Sequence, residues 1–108
     1  MKLTSEQIKQ YTNEGYVAPI DVLSKEEAKE IRDEIEFIEK KWPEELEGLG
    51  RNYVHLISPI LNKVCYKKNI LDSVESIIGE NILICGTTLF IKNPTSTDML
   101  AFIKMQNI

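Results

Sequence analysis

Histidine occurs once in the 108 residues, at position 55. Iron centres of the two-His-one-carboxylate type and His₃ zinc centres need more than one imidazole, so neither can be built from these residues alone. Cysteine is almost as scarce, with Cys65 and Cys85 and no CxxC spacing. That excludes a disulfide framework and predicts two reduced, buried thiols in a cytoplasmic protein. Bases are the minority charge, 13 Lys and Arg against 17 Asp and Glu, with a pI near 5.0. Nucleic acid is thereby excluded as a partner, because affinity for a polyanion comes from clustered cations. No apolar run approaches the roughly 18 residues that span a bilayer, and the opening MKLTSEQIKQ has no signal-peptide core, so no membrane association is expected.

What is present is helix punctuation. Thr4-Ser5-Glu6-Gln7 forms a capping box and predicts a helix to about Asn13, ended by Gly15. Tyr16 to Ile20 reads as extended chain around Pro19. Ser24-Lys25-Glu26-Glu27 is a second box, followed by Ala28, Ile31, Ile35, Ile38 and Trp42 at helical spacing until Pro43. This stripe is expected to be core, and the acids opposite it to be a solvated face.

Residues 44–55 hold two glycines and mixed charge and predict a loop. Ser58-Pro59 opens a short helix through about Val64. Asn69 is expected to cap another, with Ile70, Leu71, Val74, Ile77 and Ile78 on one face and a left-handed Gly79 at its end. Asn81 to Lys92 is β-branched and apolar and predicts a long strand, with Gly86 marking a bulge or a close approach. Such a strand lacks sheet partners in this chain, which makes its edge a pairing hazard.

The order of these elements resembles a known family. Leu3-Thr4-Ser5-Glu6-Gln7, Gly15-Tyr16-Val17, Leu23-Ser24-Lys25-Glu26-Glu27, Gly79-Glu80-Asn81-Ile82 and Leu89-Phe90-Ile91-Lys92-Asn93-Pro94 look like the N-terminal part of the phytanoyl-CoA dioxygenase family, which includes related non-haem iron halogenases. The resemblance covers about residues 3–96. It implies an α+β fold: N-terminal helices plus the first strands of a truncated double-stranded β-helix, or jelly roll. It also implies oxidation of a small organic substrate with Fe(II), 2-oxoglutarate and oxygen. In the family a His-x-Asp pair after this strand, a distant His and a later Arg hold iron and cosubstrate. None of these follows Ser96 here, so this chain is expected to hold no iron and to be inactive.

By the same resemblance Thr88, Phe90 and Lys92 face the substrate cavity, on the strand face shared with Ile84 and Gly86, and Asn52 and His55 border it. A solvated strand end for Lys92 and an ordinary loop histidine for His55 are the plainer readings.

The domain division expected is 1–96 as oxygenase-like and 97–108 as an aberrant tail. Each codon third base of Phe102-Ile103-Lys104-Met105-Gln106-Asn107, joined to the next two bases, is compatible with His-Gln-Asp-Ala-Lys-Tyr. The tail therefore reads as out of frame, with chance degeneracy as the alternative. A different class of function is a small non-enzymatic binding or self-assembly module, a homodimer paired through the 82–92 strand edge.

Overall fold

The structure is a computed structural model in which residues 2–47, 52–91 and 94–95 are described. Six helices follow one another: α1 (Ser5–Glu14), α2 (Lys25–Lys41), α3 (Pro43–Glu47), α4 (Val54–Ile57), α5 (Pro59–Cys65) and α6 (Lys68–Ile78). The expected α+β architecture is overturned: the described residues contain no strand and no sheet. Residues 81–91 are extended but unladdered, and among the described residues their one bridge is a parallel one between Tyr53 and Thr87. β-propensity describes how well a side chain fits a pleated, half-buried surface, and no neighbouring strand supplies that surface here.

The local signals for the helices hold. Thr4 Oγ1 accepts from the Gln7 amide while the Gln7 side chain accepts from the Thr4 amide. Gly15 ends α1 at φ 81°, ψ 2°, a left-handed conformation that L side chains rarely adopt. Ser24 and Glu27 form the same reciprocal pair at the start of α2. Ser58 Oγ accepts from the Leu61 amide at the start of α5, with Pro59 at its first position.

Other expectations are corrected. Pro43 ends α2 but at once opens α3, and α4 forms within the expected loop. Helix α6 begins before Asn69, with Lys67 at the cap position and no side-chain cap bond; the Asn69 amide instead donates to the Asp21 carbonyl at 3.5 Å. Gly79 has φ 86° but ψ −177°, outside the left-handed helical basin.

The core is small. Ile38, Leu46, Val54 and Leu61 are buried, with Ile31, Ile35 and Leu89 packed on them. Helix α2 thus buries one flank of its apolar stripe against α3, α5 and the extended segment. The expected core residue Trp42 is half exposed, edge-on to Phe37 at 5.7 Å, with the Lys41 ammonium 4.6 Å from its ring. The thiols are also less buried than expected: Cys65 is half-buried and Cys85 is exposed. Among the described residues no helix is long and apolar enough to cross a membrane.

Candidate functional site

Four residues of the sequence-derived site are described, and three of them converge. The turn at 52–55 and the extended segment at 86–88 are held together by hydrogen bonds. The Thr87 amide donates to the Asn52 carbonyl at 3.1 Å, and the Thr88 hydroxyl donates to Asn52 Oδ1 at 3.1 Å. The His55 amide donates to Thr87 Oγ1 at 3.3 Å, and His55 Nδ1 lies 2.8 Å from the same oxygen. The Asn62 side chain in turn donates to the His55 carbonyl at 2.9 Å, fixing α4 against α5. Asn52, His55 and Thr88 are therefore one clamp. Thr87, which the sequence reading assigned to the opposite face, is its central member.

A Cβ on Gly86 would stand 3.4 Å from the Asn52 carbonyl oxygen, at the near edge of ordinary contact, so the close approach expected from the sequence is present without requiring a glycine. The alternation also slips at this point. Ile82 and Ile84 are half-buried while Leu83 and Cys85 are exposed; beyond Gly86, Thr87 and Leu89 are half-buried while Thr88 and Phe90 are exposed. The single face expected for Ile84, Gly86, Thr88, Phe90 and Lys92 is thus broken, because one residue of slippage exchanges the two sides of an extended chain. Phe90 stands 74% exposed. Lys92 and the tail 97–108 lie outside the described residues.

Between α6 and the extended segment runs an open cleft of about 820 Å³. Its apolar lining includes Leu56, Leu71, Ile82 and Ile84, and its polar lining includes His55, Asn62 and Tyr66. Three carboxylates, Asp72, Glu75 and Glu80, share it with one ammonium, Lys68. Lys68 donates to Asp72 and holds that carboxyl well below its ordinary 3.8, at about 2. Lys2 bridges to Glu75 at 3.0 Å. No signal of period or spacing in the sequence marks this cleft, because its walls come from separate elements, α4, α5, α6 and the segment that follows α6.

The donor set does not fit Fe(II). The one imidazole spends Nδ1 on Thr87, and no group of three or more His, Cys, Asp or Glu side chains among the described residues could hold a metal ion. No family model, curated protein or solved structure matches the chain.

Proposed function

We propose that this chain is a non-catalytic helical module of an oxygenase resembling the phytanoyl-CoA dioxygenase family. Its role is to present the 81–91 segment to polypeptide that carries the iron- and 2-oxoglutarate-binding residues. The clamp from Asn52 and His55 to Thr87 and Thr88 carries this reading. It secures one side of an uncharged extended segment and leaves Leu83, Phe90 and Ile91 exposed on the outside, at 91%, 74% and 45%.

The small core supports the reading. Among the described residues the buried hydrophobic side chains are Ile38, Leu46, Val54 and Leu61, and a chain with so small a core gains stability from a partner that covers its exposed apolar side chains.

The test is direct. Fe(II) and 2-oxoglutarate added to the purified chain are expected to give neither substrate-independent succinate nor a rise in melting temperature. Succinate formation, or a clear thermal shift, would overturn the assignment.

A second reading has its own observation. Asn81 to Ile91 contains no charged residue and no proline, the usual devices that stop edge pairing. Two copies can therefore associate antiparallel through this segment as a twofold, self-complementary pair. Size-exclusion chromatography with light scattering separates the two. A discrete dimer that Leu83→Lys dissolves favours self-assembly, and a monomer rejects it.

A further inference from the structure

We draw no further inference here: the strongest candidate, the open cleft between α6 and the extended segment with its aliphatic wall of Leu56, Leu71, Ile82 and Ile84, carries nothing because nothing in the structure shows what covers it.

Discussion

Thr87 Oγ1 meets His55 twice, at 3.3 Å from the backbone amide and at 2.8 Å from Nδ1, although 32 positions separate the two residues. This one hydroxyl ties the C-terminal extended segment to the turn ahead of α4. With the Thr87 amide on the Asn52 carbonyl, it takes the place of the ladder that a sheet would have provided.

Thr87→Val removes the hydroxyl and leaves the shape. The expected cost is about 1–2 kcal/mol, since it strands the half-buried imidazole nitrogen and the His55 amide. Urea denaturation measures the cost, and hydrogen exchange should show early loss of protection at the Thr87 amide. Thr87→Ser, which keeps the hydroxyl, is expected to recover most of both. A harmless Thr87→Val beside a costly Thr87→Ser would assign the tie to the methyl group.

Ser58 has the same kind of double duty inside the core. Only 2% exposed, its hydroxyl donates to Glu34 at 2.7 Å and accepts from the Leu61 amide at 3.3 Å. Ser58→Ala loses a cap and a charge-assisted bond at once, with an expected cost of about 2–3 kcal/mol. Ser24→Ala removes a solvent-exposed cap alone, and about 1 kcal/mol is expected. Thermal melts of the two variants that coincide would show that the Ser58–Glu34 bond contributes nothing.

Two carboxylates titrate below their ordinary values. The Lys67 ammonium and then the Ser24 amide lower Glu27, and the Lys68 ammonium is the largest cause holding Asp72 at about 2. A depressed folded value means that the unfolded chain takes up the proton first. The stabilisation is therefore whole above the ordinary carboxylate range and is lost as the pH falls towards about 2. The melting temperature should drop between pH 5 and pH 2.5, and Asp72→Asn should flatten part of that drop. An identical pH profile for Asp72→Asn would remove the Lys68 pair as a cause.

The coding DNA tests the reading of the tail. The shifted frame needs an Ile103 codon ending in C and a Lys104 codon ending in G, because only these supply Gln and Asp in the alternative frame. Any other third base at either codon removes the His-Gln-Asp segment.

Several features were legible residue by residue because their causes lie within one turn of chain. The boxes at Thr4 and Ser24, the cap at Ser58-Pro59 and the stop at Gly15 are exchanges between groups three or four positions apart, so composition and spacing suffice to locate them. Gly86 was legible too, as a point of close approach, though its partner Asn52 was not. Asn69 misled because the helix starts one residue before it, at Lys68, which places Asn69 inside the first turn with its side chain bonded to the Asp21 carbonyl. Trp42 misled because an apolar stripe specifies a face without specifying how far along the helix something covers it.

The sequence by itself determined α1, α2 and α5 with their caps, and an uncharged, β-branched segment over residues 81–91. Tertiary structure alone decided what that segment does. Pairing is a long-range property, and with no second strand among the described residues Thr87 and Thr88 are satisfied through Asn52 and His55 instead. The slip at Gly86 then turns Leu83 and Phe90 outward on successive halves. The same tertiary contact brings His55 to the cleft that Leu71 and Asp72 of α6 also line, from positions too far apart in the chain for any local rule to foresee.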